Sequence, residues 1–119
     1  MRILVTAFAL GLISACGTST TAAPTPDKAA RATAISKLTG VAASGAVVYN
    51  QTGKCVTCHN ADGKGRKEVD LAEPSKNDEV AELAGYVLNG IAPTMPSAAF
   101  LTDQQIADVI AHLKATYGK

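Results

Sequence analysis

Cys55-Val56-Thr57-Cys58-His59 places two thiols three residues apart with an imidazole directly after them. That is the spacing of a c-type haem attachment site. On a short helical turn Cys55 and Cys58 fall on one side, where each sulfur can add across a vinyl group of the porphyrin, and His59 then lies beneath the iron. Imidazole is a good ligand for haem iron, and its other ring nitrogen is usually held by a carbonyl that fixes the ring. Two other chemistries use the same residue types. A redox dithiol expects a βαβ setting, and no such alternation runs through this sequence. Zinc wants about four ligands, and the only other His or Cys residues are His112 and Cys16.

Met95 is the second candidate ligand, held in Pro93-Thr94-Met95-Pro96. The second proline pushes the methionine to extended geometry and the first removes a backbone donor, so this is no helix interior. A thioether fixed there reads as the ligand on the iron face opposite His59; the other use of a methionine is to fill a gap in a core. A His/Met pair raises the reduction potential. It also occupies both axial positions, so the expected activity is electron transfer without bond chemistry. The only other methionine is Met1.

These side chains need helices to place them, and the apolar pattern supplies about three main ones. Val41, Gly45, Val48 and Tyr49 fall at helical spacing just before the thiols. A glycine-punctuated loop follows over residues 60–66. Val80, Leu83, Ala84, Val87 and Leu88 stripe a second helix over residues 77–89, with Gly90 suited to its end. Thr102 and Gln105 form a capping box for a third, along which Ile106, Val109, Ile110, Leu113 and Tyr117 repeat on one face. No stretch reads as a strand. The expected fold is a small all-α domain around one covalent haem.

The start of the chain carries a different signal. Arg2 followed by the apolar run of residues 3–13 has the length of a signal peptide and is too short to span a bilayer. Leu12-Ile13-Ser14-Ala15-Cys16-Gly17 then resembles a bacterial lipobox, which makes Cys16 the expected lipidated residue. Lipidation also disposes of an otherwise odd thiol in an oxidising compartment. Multiple acyl chains there would give stable anchoring where a single chain binds marginally. Residues 1–15 thus read as a lipoprotein signal peptide, 16–40 as the lipidated cysteine and a Thr/Ala/Pro-rich tether, and 41–119 as the folded domain. An Ala-rich stretch over 28–38 could form a short helix inside the tether. Eleven Lys and Arg stand against ten Asp and Glu, and Arg2 is the only charge in residues 1–15, so the mature chain is formally neutral. Nothing in that balance suggests nucleic acid.

Residues 41–119 resemble a class I c-type cytochrome, close to the compact bacterial members. Gly45 with Tyr49, the CVTCH site, Asp62-Gly63-Lys64-Gly65, Tyr86-Val87-Leu88-Asn89-Gly90, Met95-Pro96 and the run from Leu101 to Val109 match successive landmarks in order. The resemblance implies that the first and last helices cross near Gly45, with Gly45 and Tyr49 meeting the face around Val109 to Leu113. It implies an exposed haem edge, framed by Val56, Thr57, Ala92, Pro93, Thr94 and Pro96, through which electrons pass to a docked partner. Lys54, Lys64, Arg66 and Lys67 could form a basic rim or simply a solvated loop. His112 stands where an aromatic is common and is expected to pack or make a surface hydrogen bond. The family often has a proline, before Pro74, whose carbonyl receives the proximal histidine; here Lys67-Glu68-Val69-Asp70-Leu71 occupies that stretch. The implied role is a membrane-tethered monohaem carrier in the bacterial cell envelope, facing the periplasm or outer surface. Its redox partners would be a dehydrogenase, a quinol-oxidising complex or a terminal oxidase, with service as the cytochrome subunit of a dehydrogenase also open. The alternative is a sensor or peroxidase-like enzyme in which Met95 is labile.

Overall fold

A computed structural model of the chain describes residues 27–65 and 70–119. Six helices are present: α1 Lys28–Ile35, α2 Ala42–Val47, α3 Val56–His59, α4 Ala72–Asn77, α5 Val80–Asn89 and α6 Asp103–Tyr117. A π-helical turn, Val48–Thr52, continues α2. The described residues contain no strand, only an isolated antiparallel bridge between Ile91 and Met95. None of their helices is long and apolar enough to cross a membrane.

The expected third helix is α6, and its capping box forms. Thr102 Oγ1 accepts from the Gln105 amide (3.1 Å) and Gln105 Oε1 accepts from the Thr102 amide (2.9 Å). Its stripe of Ile106, Val109, Ile110 and Leu113 is buried, each side chain contributing about 1.5–3 kcal/mol by leaving water. Asp108 is buried too, on the side of α6 that meets α2, and is not stranded there. Its Oδ1 accepts from the Val41 amide at 2.8 Å and from Gln104 Nε2 at 2.8 Å, so α6 supplies the cap that Val41 itself lacks at the head of α2.

Gly45 sets the crossing of α2 and α6. A Cβ there would run into the Asp108 carbonyl and meet His112 Cβ at 2.8 Å. Helices α2 and α6 therefore touch backbone to backbone, and Tyr49 packs its ring 5.3 Å from His112 and 6.0 Å from Tyr117. The contact falls on the Asp108, His112 and Tyr117 side of α6, displaced by about one helical position from the expected face.

Two boundaries differ from expectation. The second helix begins at Val80 and not at residue 77, because Asp78 and Glu79 are extended and the Glu79 amide is capped by Glu82 Oε2 at 3.1 Å. Residues before them coil separately as α4. In the stretch read as tether, α1 buries Ala32 and Ile35 against α5 and α6. The packed body thus starts ahead of residue 41, within the stretch read as tether. An alanine-rich helix needs only a couple of well-spaced apolar contacts to dock. The signal segment and Cys16 lie outside the described residues.

Candidate functional site

Cys55, Cys58 and His59 are delivered by one helical turn. Cys55 O accepts from the amides of Cys58 (3.2 Å) and His59 (2.9 Å), and the Asn60 amide returns to Val56 O at 2.9 Å. The turn is delimited by two residues in the left-handed region, Lys54 at φ 53° and Asn60 at φ 57°. A helix that cannot extend in either direction keeps both thiols and the imidazole within one turn.

The side chains differ in their surroundings. Neither Cys55 nor Cys58 is in a disulfide; Cys55 is partly buried and Cys58 exposed. Burial pushes the Cys55 thiol up, and the neighbouring Cys58 adds to the shift against an opposing backbone hydrogen bond. His59 is buried. Beyond it, the chain is held from the π-helical turn after α2 and from α6: Tyr49 Oη donates to Asn60 O at 2.6 Å and Tyr117 Oη to Ala61 O at 2.8 Å. Burial pushes the Tyr49 phenol far above its ordinary value, with Tyr117 beside it adding to the effect, so it remains a donor. His59 O then accepts from Gly65 at 3.0 Å and Gly63 O from Leu71 at 2.9 Å, closing the loop. Pro74 sits in the first turn of α4, a place proline tolerates, and its carbonyl accepts from Asp78 at 2.9 Å.

Met95 arrives separately, in the long connection of residues 90–102. Its amide donates to Ile91 O at 2.8 Å and its carbonyl accepts from Ile91 at 2.9 Å, closing a small loop that contains a cis Ala92–Pro93 bond. Gly90, at φ 66°, has the backbone of residues 95–97 where a Cβ would stand. Only glycine meets both demands. Ser97 Oγ donates to Leu88 O at 2.6 Å and the Ala98 amide to Val87 O at 2.8 Å, stitching the loop to α5. Met95 itself is half-buried.

Lys54 and Lys64 flank the thiol turn, while Arg66 and Lys67 of the suggested basic rim lie outside the described residues. His112 packs as expected, in a trio with Tyr49 and Tyr117, and its Nδ1 lies 3.3 Å from Thr116 Oγ1. The hydroxyl work of Tyr49 and Tyr117 went unread in the sequence, where both register only as apolar positions. Among the described residues no three of His, Cys, Asp and Glu gather closely enough to hold a bare metal ion.

The family model for cytochrome c oxidase, cbb3-type, subunit III, matches residues 40–113. The chain belongs to this family. It is a class I c-type cytochrome, and the match runs from the turn before α2 to the last buried leucine of α6, leaving α1 outside. No curated protein and no solved structure matches the chain. The donor set suits the haem c that the family implies: two uncommitted thiols and a buried imidazole share a turn, and a thioether is held on a loop within the same matched region.

Proposed function

We propose that this cytochrome carries single electrons through one haem c, attached at Cys55 and Cys58 and ligated by His59 and Met95, while anchored to a membrane through Cys16. The bounded turn of residues 55–59 supports this reading, since it keeps two thiols free of any disulfide and a buried imidazole within one turn. When bound, the haem supplies a one-electron ferric/ferrous couple. The protein's part is to hold the ligands still, so that little rearrangement accompanies the change of charge. Tyr49 and Tyr117 fix the chain just after His59; the Ile91 pairing and Gly90 fix the backbone of Met95. With both axial positions filled by the protein, no site is left for substrate, and the cytochrome is a carrier and not an enzyme.

Partners follow from position. A lipidated Cys16 confines the domain to the cell envelope, facing the periplasm or outer surface, where a terminal oxidase of the kind in the family's description could take its electrons and a quinol-oxidising complex or dehydrogenase could supply them. Cys16→Ser should abolish lipidation and release the protein from membranes on fractionation; a variant still anchored would remove Cys16 from the account.

The decisive experiment is a visible spectrum of the matured protein, oxidised and reduced, with and without carbon monoxide. Sharp reduced bands unaffected by carbon monoxide support a closed His/Met carrier. A broad reduced band that shifts with carbon monoxide would replace it with a sensor or peroxidase-like protein having a labile Met95.

A further inference from the structure

Helix α1 lies before the residues that the family model matches, yet its one arginine reaches into the methionine connection. Arg31 Nε donates to Asp103 Oδ1 at 2.6 Å, while its two terminal nitrogens donate to Ala99 O at 2.9 Å and Leu101 O at 2.6 Å. The Arg31 side chain is 20% exposed, so these contacts are partly shielded from water. Ala99 and Leu101 stand at the end of the segment that holds Met95 to the helices. Leu101 donates back to Ala98, whose own amide is bonded to α5, and Ser97 bonds to α5 beside it. Phe100 between them is 71% exposed and contributes no burial, whereas Leu101 is buried. Beyond the Ser97 and Ala98 bonds to α5, the exit of the loop is held by the buried Leu101, the partly buried Ala99 and one guanidinium.

We infer that Arg31 is a positioning residue for Met95. From outside the family domain it clamps residues 99–101 and the head of α6 and so limits how far the methionine loop can swing away from the haem. Three donors of one planar fork are engaged at once, a geometry a lysine cannot reproduce. With the arginine gone, two carbonyls turn to water and Asp103 loses its only ion pair among the described residues. The inference rests on Met95 being the second axial ligand.

The test uses the full-length, haem-loaded protein with imidazole as the competing ligand. In Arg31→Ala the ferric protein should bind imidazole roughly tenfold more tightly, matching the loss of charge-assisted hydrogen bonds, and the long-wavelength band of methionine-ligated ferric haem should weaken. Arg31→Lys should recover less than half of that effect. Asp103→Asn, which leaves the Thr102 and Gln105 cap in place, should move the affinity the same way by a smaller factor, and carries the test if Arg31→Ala does not fold. Amide exchange over residues 97–102 should quicken while residues 60–63 keep their rate. Lys114→Ala is the control, because it removes bonds to Ser75 O and Asp78 O at the other end of α6; it should lower the melting temperature and leave imidazole affinity unchanged. An Arg31→Ala protein that melts earlier but binds imidazole as the parent does would overturn the inference, as would an equal gain in Lys114→Ala. Met95→Ala separates the two claims: if it too leaves imidazole binding unchanged, the ligand assignment has failed, and if it alone opens the iron, only the role of Arg31 has.

Discussion

The two sides of the candidate haem site are built by opposite means. The thiol and imidazole side is a single turn locked by its own backbone, bounded by two positive-φ residues, and gripped by tyrosine hydroxyls from the turn after α2 and from α6. The methionine side is a long irregular connection whose shape comes from a glycine, a five-residue pairing between Ile91 and Met95, and a few bonds to α5 and α1. A covalent attachment tolerates no doubt about spacing, so its residues are adjacent in sequence. On the proposed ligation, a single iron–sulfur contact would need only that the loop return to the right place, a task several distant residues could share. Local unfolding should therefore begin on the methionine side, where residues 91–94 are exposed.

The largest effect should come from removing the anchors of the tight side. Cys55→Ser with Cys58→Ser should yield protein with no covalent haem, seen as loss of the haem stain on a denaturing gel. Retention of covalent haem would break the assignment. On the loose side, Met95→Ala should keep the haem, lower the reduction potential and open the iron to imidazole more than any second-sphere change does. An unchanged potential in a redox titration would remove Met95 from the ligand set. Smaller still are single hydroxyls on each side. Tyr117→Phe deletes the hydrogen bond to Ala61 O, and Ser97→Ala deletes the one to Leu88 O together with the one its Oγ accepts from the Ala99 amide, each bond worth about 1 kcal/mol in denaturant unfolding. Only Ser97→Ala should also weaken the methionine–iron band; a change in both variants would mean that the two sides are not independent.

The same contrast governs what the sequence could reveal. The thiol turn and α6 were legible because their information is local: a five-residue motif, and a capping box followed by a regular apolar stripe. Gly45 was legible as a site of close approach, although the partner residues on α6 were displaced by a position, since ring packing among Tyr49, His112 and Tyr117 decides the register. Residues 72–79 were not resolved into a helix, a break and a new cap, because Glu79 and Glu82 look like ordinary acidic residues at a helix head until their geometry is seen. The docking of α1 was hidden by composition. Alanine, threonine and proline dominate the surrounding segment, and Arg31 acts on residues some seventy positions away, which no periodicity announces.

The smallest effect concerns pH, and it probes the tight side through the aromatic trio. Burial pushes the His112 imidazole below its ordinary value of 6.5, so the folded protein holds the ring neutral where the unfolded chain would protonate it. Below pH 6.5 the unfolded state then binds more protons than the folded one, and stability must rise with pH across that range. Protonated His112 would also place a charge 5.3 Å from the Tyr49 ring, whose hydroxyl holds the carbonyl next to His59. His112→Phe keeps a ring in the trio and removes the titration. Its unfolding free energy should therefore vary less between pH 7 and pH 5 than that of the parent, by denaturant titration at each pH. If the two slopes coincide, other groups carry the acid sensitivity and the trio is only packing.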